Sequence, residues 1–221
     1  MRSSAFRDYR QENMKEKSKR QTDPALAQAR RDQVLSAAAD CFRRKGYHGA
    51  GMAEISKTAG MSAGHIYNYF ASKEAIIESI IERDMEKVFS IFQEFEDQPG
   101  DLVTVLLAGL DHGVDHHTDV NQGALDLEMF AEAARNDKVA AQLQKSDRYA
   151  KDKMRDLLLS ERSLIKDLDA LELESRIEVM FSMMGGLTLR KTLNPELDKA
   201  TILLALRPAM RVLLVPFTDS K

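Results

Sequence analysis

Residues 51–73 read Gly-Met-Ala-Glu-Ile-Ser-Lys-Thr-Ala-Gly-Met-Ser-Ala-Gly-His-Ile-Tyr-Asn-Tyr-Phe-Ala-Ser-Lys, and their spacing predicts two short helices around a glycine turn. Met52, Ile55 and Ala59 fall at i, i+3 and i+7, one face of a first helix. Gly60 suits the left-handed backbone position that ends a helix. Ser62 is a good N-cap for the second helix, because its hydroxyl accepts an otherwise orphan backbone N–H. At about 100° per residue, Ile66 and Phe70 lie together and face inward. Gly64 and Asn68 then point outward, flanked by His65 and Tyr67. Such a face suits the major groove of duplex DNA. Glycine lets the backbone come close, asparagine pairs bidentately with adenine, and histidine and tyrosine reach purine edges, thymine methyls or phosphates.

An ordinary helical hairpin with a solvated face has the same two stripes, so the flanks decide. Upstream, Val34, Leu35, Ala38 and Phe42 form a stripe on a helix that ends Arg43-Arg44-Lys45-Gly46, cations and then glycine. Downstream, Ser72 caps a long helix with Lys73 in its first turn. A lysine there opposes the helix dipole, a misfit that a gripped phosphate would explain.

With these flanks, residues 30–81 resemble the DNA-binding domain of the TetR family of bacterial repressors. The resemblance is carried by Ala38, Phe42, Lys45-Gly46-Tyr47, Ile55, Ala59-Gly60-Met61-Ser62, Gly64, Ile66-Tyr67, Tyr69-Phe70 and Ser72-Lys73-Glu74. It implies that Ser62, Ala63, Gly64, His65, Tyr67 and Asn68 lie at base-contacting positions, and that Tyr69 and Lys73 hold phosphates. Two departures stand out. The family usually caps the first helix of the motif with Ser or Thr, where this chain has Ala50-Gly51. Some members place a base-reading Arg where this chain has Ala53.

The net charge of −3 conceals an asymmetry: residues 1–73 hold 14 Lys+Arg against 7 Asp+Glu, and residues 74–221 hold 18 against 28. A basic block on an acidic remainder fits a DNA-binding head on a body that stays off DNA. At 221 residues with 43% hydrophobic content and no β-type alternation, the expected fold is all-α. It comprises an N-terminal three-helix helix-turn-helix domain and a larger all-helical ligand-binding and dimerisation domain. The expected divisions are a basic, flexible extension over 1–23, the DNA-binding domain over 24–73, and the effector-binding and dimerisation domain over 74–221. The extension is expected to fray when free and is a candidate arm for phosphates or the minor groove. No signal peptide and no apolar run of roughly 18 residues is found, so a cytoplasmic location and no membrane partner are expected.

In the body, apolar stripes predict helices near 72–97, 101–117, 121–135, 137–161, 171–194 and 196–214. Pro208 is expected to kink the last one near Ala205. Residues 202–206 and 212–215 are apolar nearly all round, and Gly185-Gly186 permits close backbone approach, so 171–214 is the expected homodimer surface. Cys41 lacks a partner cysteine and is expected in the core. His112 and His116 point away from their helix's apolar face, which argues for a solvated end rather than a metal site, and only His117 swings back. No metal and no cofactor is expected.

A small-molecule effector site is expected among Phe89, Phe92, His117, Glu128, Met129, Phe130, Met180, Phe181 and Met184, because methionine lines adaptable pockets. Arg176 is a further polar candidate. The expected function is a ligand-responsive regulator, a repressor that binds a palindromic operator as a dimer and leaves it when an effector binds. It is not expected to be an enzyme, since no nucleophile–base pair or phosphate loop is found. The alternatives are an effector-independent, architectural DNA-binding protein, and a small helical metal-binding protein or enzyme.

Overall fold

The computed structural model describes residues 24–217; the expectations for the 1–23 extension lie outside them. The described residues form helices joined by turns, with no strand among them. The head holds α1 (Pro24–Gly49), α2 (Met52–Ala59) and α3 (Ala63–Tyr67). The body holds α4 (Lys73–Asp97), α5 (Leu102–Thr118), α6 (Val120–Ala133), α7 (Asp137–Leu158), α8 (Ala170–Leu193) and α9 (Lys199–Leu213). The regular part of α1 breaks at Gly46, whose φ of 73° is left-handed.

Side-chain N-caps set most of these boundaries. Ser62, Ser72, Asp101, Asp119, Asn136, Asp169 and Asp198 each accept a backbone N–H from the first turn of the helix that follows. Each cap is worth about 1 kcal/mol against alanine. Gly51 begins α2 with no side-chain cap, as the sequence requires.

Two apolar clusters form. The first contains the head residues Val34, Phe42, Tyr47, Ile55, Ile66 and Phe70, continues into Ile76, Ile77, Ile80 and Ile81 of α4, and takes in Leu125, Met129 and Val139 of α6 and α7. The second fills the body, with Phe92, Leu106, Val114, Leu158, Ile177, Met180, Leu206 and Met210. So α4 enters both clusters, and the head core runs past residue 73 into the body helices. Cys41 is fully buried, its Sγ 3.3 Å from Thr58 Oγ1.

Two body helices depart from the expected bounds. α7 stops at Leu158, because Ser163 Oγ accepts the Ile165 N–H and Arg162 folds back onto the end of α4. The Arg162 guanidinium donates to the carbonyls of Phe95, Glu96, Gln98 and Gly100 and so satisfies the C-terminus of α4. α9 starts at Lys199 behind its Asp198 cap and continues through Pro208 to Leu213. Pro208 is exposed, so the carbonyl it leaves without a donor is on the solvent side of the helix. No described helix is long and apolar enough to cross a membrane.

Candidate nucleic-acid interface

The site is built on α2 and α3. α2 buries Ile55 and Ala59 against α1, and Gly60, with φ 63°, turns the chain out of it. The side chain of Gln33 donates to Ala59 O at 2.7 Å and closes that helix end. Ser62 is extended, and its Oγ accepts His65 N–H at 3.2 Å, which starts α3. α3 has five residues, too few to persist alone. It is held by Ile66, which is fully buried, and by Phe70, which is 2% exposed. From outside, Arg31 donates to Tyr69 O at 3.1 Å and lies 4.6 Å from the centre of the Phe70 ring.

Ser62, Gly64, His65, Tyr67 and Asn68 are exposed on α3 and its caps, while Ala63 and Tyr69 are half-buried. The His65 and Tyr69 rings meet edge to face at 5.3 Å. A Cβ built on Gly64 would meet nothing within 4 Å, so the head's own packing does not require glycine there. The missing side chain leaves room for something outside the chain.

Lys73 has a partner inside the chain. Its Nζ donates to Tyr47 O at 2.7 Å and sits 4.1 Å from the centre of the Tyr47 ring. That accounts for a cation at a helix N-terminus without a phosphate, although two of the three ammonium donors remain free of protein partners. Glu74 beside it is held below the usual carboxylate range by its own backbone N–H, then by Ser72 and the Tyr47 hydroxyl. Burial, followed by the Glu74 charge, pushes the Tyr47 phenol upward.

The nine residues expected to line an effector site do not come together. Phe92 and Met180 are buried in the body cluster, with Phe181 and Met184 packed against it. Met184 reaches α5, where its methyl group would stand 2.8 Å from a Cβ on Gly113. His117 is nearby in the fold, its carbonyl accepting from Thr188 Oγ1. Burial, with a smaller contribution from His116, lowers its imidazole to about 4, and its Nδ1 has no hydrogen-bond partner among the described residues. Met129 instead belongs to the head cluster, and Glu128 faces the head, accepting Tyr47 N–H. Phe130 and Phe89 are about half exposed, Phe89 stacked on Tyr149. Arg176 is buried but committed to the C-terminal segment, donating to Leu213 O, Val215 O and Glu172. Among the described residues no group of three or more His, Cys, Asp or Glu is placed to hold a metal.

Sequence reasoning missed Tyr47, His48 and Glu132, which with Glu128 join head to body. Their only sequence signal was two glutamates four apart on a helix with an otherwise apolar face.

Residues 34–80 match the family model described as bacterial regulatory proteins, tetR family. The HTH-type transcriptional regulator UidR of Escherichia coli K12 is 36% identical over 123 residues, 53% of this chain and 58% of that one. The chain thus spans little more than half the length of that relative. The structure of Salmonella enterica GusR superposes with a TM-score of 0.72 at 28% identity, covering 88% of this chain and 98% of that one. FadR of Bacillus subtilis, solved in complex with stearoyl-CoA, shares the fold with a TM-score of 0.66 at 18% identity, covering 84% of this chain and 98% of that one. The motif, its flanks and these likenesses agree: residues 34–80 match the tetR family of bacterial regulatory proteins, and the chain is similar to UidR over about half its length and to GusR in its fold.

Proposed function

We propose that the protein is a cytoplasmic transcriptional repressor that binds a two-fold symmetric operator as a homodimer and is released by a small-molecule effector. One observation carries the DNA-binding part. Five exposed residues, Ser62, Gly64, His65, Tyr67 and Asn68, sit on a helix of five residues and its two caps, whose inward side is held in the core by Ile66. Such a helix presents base-reading groups rigidly. Ala63 and Tyr69 flank that face, and Lys73 offers its remaining donors to a phosphate.

The homodimer reading is supported by an uncovered apolar face. Val179, Leu189 and Leu193 of α8 and Leu204 and Val212 of α9 are 46%, 51%, 65%, 82% and 52% exposed. Gly185 and Gly186 lie on the same helix with nothing within 4 Å of an added Cβ. An exposed patch of this kind marks an interface. The effector reading is supported by Phe92, Met180, Phe181 and Met184 in one methionine-rich region of the body, because methionine side chains adapt to a ligand. The shared fold of FadR, a transcriptional regulator solved in complex with stearoyl-CoA, is in keeping with a body that accepts a small molecule. The divisions proposed for the described chain are a DNA-binding head over 24–73 and an effector-binding and dimerisation body from 74 onward.

Selection of duplexes from a random pool tests the reading. An inverted repeat with half-sites about one helical turn apart, or a multiple of that, is expected. A single asymmetric site bound by one protomer would overturn it. A ligand screen scored by thermal stabilisation and by release from that duplex tests the effector arm.

A further inference from the structure

We infer that Glu128 and Glu132, one turn apart on α6, are positioning residues that fix the angle of the head on the body and thereby the separation of the two heads; this rests on the dimeric DNA-binding reading above. The observations centre on the turn at residues 46–48. Glu128 Oε2 accepts Tyr47 N–H at 3.1 Å. The same oxygen lies 3.2 Å from where a Cβ on Gly46 would stand, and the left-handed φ of 73° favours glycine there. Glu132 is 3% exposed. Its Oε1 accepts from Asn136 Nδ2 at 2.9 Å, and its Oε2, without a hydrogen-bond partner among the described residues, lies at the ion-pair distance of 2.8 Å from His48 Nε2.

A carboxylate this buried is costly unless it is paired, so Glu132 draws His48 toward it. Two carboxylates at i and i+4 of one body helix therefore hold two consecutive residues of the head, one by its backbone and one by its ring. α4 grips the same turn from the other side, through Lys73 Nζ on Tyr47 O and the Tyr47 hydroxyl on Glu74. Beside these, α6 and α7 meet the head through apolar packing that includes Leu125, Met129, Ala133, Val139 and Leu143. Apolar packing is non-directional and tolerates a range of tilts. The hydrogen bonds are directional and select one.

The full-length protein is assayed on the duplex it selects and on versions with one base pair added to or removed from the spacer, which rotates one half-site by about 34°. The unaltered protein is expected to lose about tenfold or more in affinity on the changed spacers. The double variant Glu128→Ala with Glu132→Ala is expected to discriminate them by less than about twofold, a loss of about fivefold or more, at the low end of the usual span of coupling effects. Glu128→Gln keeps an oxygen acceptor for Tyr47 N–H and is expected to retain the discrimination. Spin labels on Lys57→Cys provide a DNA-free measure, and the distribution of distances between the two heads is expected to broaden in the double variant. A folded double variant with the original spacer penalty and a narrow distribution would overturn the proposal. Should the double variant not fold, His48→Ala, which removes only an exposed partner, must broaden the distribution, and an unchanged distribution would overturn it equally. If the unaltered protein selects no symmetric duplex and gives no inter-head distance, the dimeric DNA-binding reading itself fails and takes this proposal with it.

Discussion

The proposed reading helix α3 has five residues and the body helix α8 has 24. Both begin at a side-chain cap and both bury apolar residues, yet they hold their exposed faces by different means. α3 is a plug: Ile66 and Phe70 are sunk in the head, Ser62 starts it, and Arg31 clasps its far end. The cap and the two anchoring side chains all lie within nine residues of chain. α8 is a beam whose position comes from distant partners, such as Thr188 on His117 O and Arg176 on Leu213 O and Val215 O. A short plug makes a site legible from one stretch of sequence, while a beam makes a site whose lining depends on which neighbour each turn meets.

The comparison is tested most severely by removing one core side chain from each region. Ile66→Ala in the head and Ile177→Ala in the body, both fully buried, should each cost about 2–5 kcal/mol. Ile66→Ala is expected to abolish selective DNA binding, with hydrogen exchange accelerated over residues 60–70 and the body still protected. Ile177→Ala is expected to lower the melting temperature while the folded fraction still binds the selected duplex. If both variants lost DNA binding in proportion to their stability, head and body would be one cooperative unit and the plug description would be wrong.

A second test uses acidity and acts on the body alone. His117 is lowered from 6.5 to about 4 by burial and then by His116. Between those values the unfolded chain binds a proton that the folded chain refuses, so stability falls as pH drops from about 6.5 toward 4. The whole effect is at most about 3 kcal/mol. Asp126 is raised by its own burial and acts in the opposite sense, favouring the folded state as pH falls, which offsets part of the loss. Thermal melts at pH 7 and pH 5 should therefore differ less for His117→Leu than for the unaltered protein. An equal difference would mean that His117 titrates normally in the fold.

What could be read in advance follows the same division. Gly60, Ser62, Ile66 and Phe70 are legible in the sequence because caps, left-handed glycines and helical faces are local rules. The body helices were placed within a few residues for the same reason. The joint at Gly46–His48 was not seen, since Glu128 is 81 residues from Tyr47 in sequence and no periodicity links them. The effector set mixed two cores for a related reason. Met129 and Met180 have the same chemistry but belong to different apolar clusters. Hydrophobic pattern reports burial and not which neighbour is buried against. The end of α7 was misjudged because Arg162 satisfies carbonyls of a different helix.

A smaller effect compares two caps of the same kind. Ser62 accepts His65 N–H at 3.2 Å and Asp169 accepts Glu172 N–H at 3.0 Å. Replacing either by alanine should cost about 1 kcal/mol. Ser62→Ala is expected to weaken DNA binding severalfold, because the cap orients the reading face. Asp169→Ala is expected to leave binding unchanged and shift the melting temperature by a few degrees. Equal effects on DNA binding would show that the head feels the body helix ends.

The smallest expected effect lies at Lys73, the residue where the two regions meet. Its ammonium already holds Tyr47 O at 2.7 Å and lies over the Tyr47 ring. Loss of that strut from a half-buried position should cost about 0.5–1 kcal/mol of stability. A lysine has three donors, so a phosphate can be bound without giving up the carbonyl. If it is bound, Lys73→Gln should weaken all duplex sequences alike, because a phosphate contact carries no sequence information. The plot of log affinity against log salt should flatten by about 0.9, one neutralised phosphate. Asn68→Ala is the control from the reading face: it should relax the preference among sequences and leave the salt slope as it was. A Lys73→Gln protein with the original slope would assign the lysine wholly to the turn at Tyr47, and the phosphate contacts would then have to come from elsewhere in the basic first third of the chain.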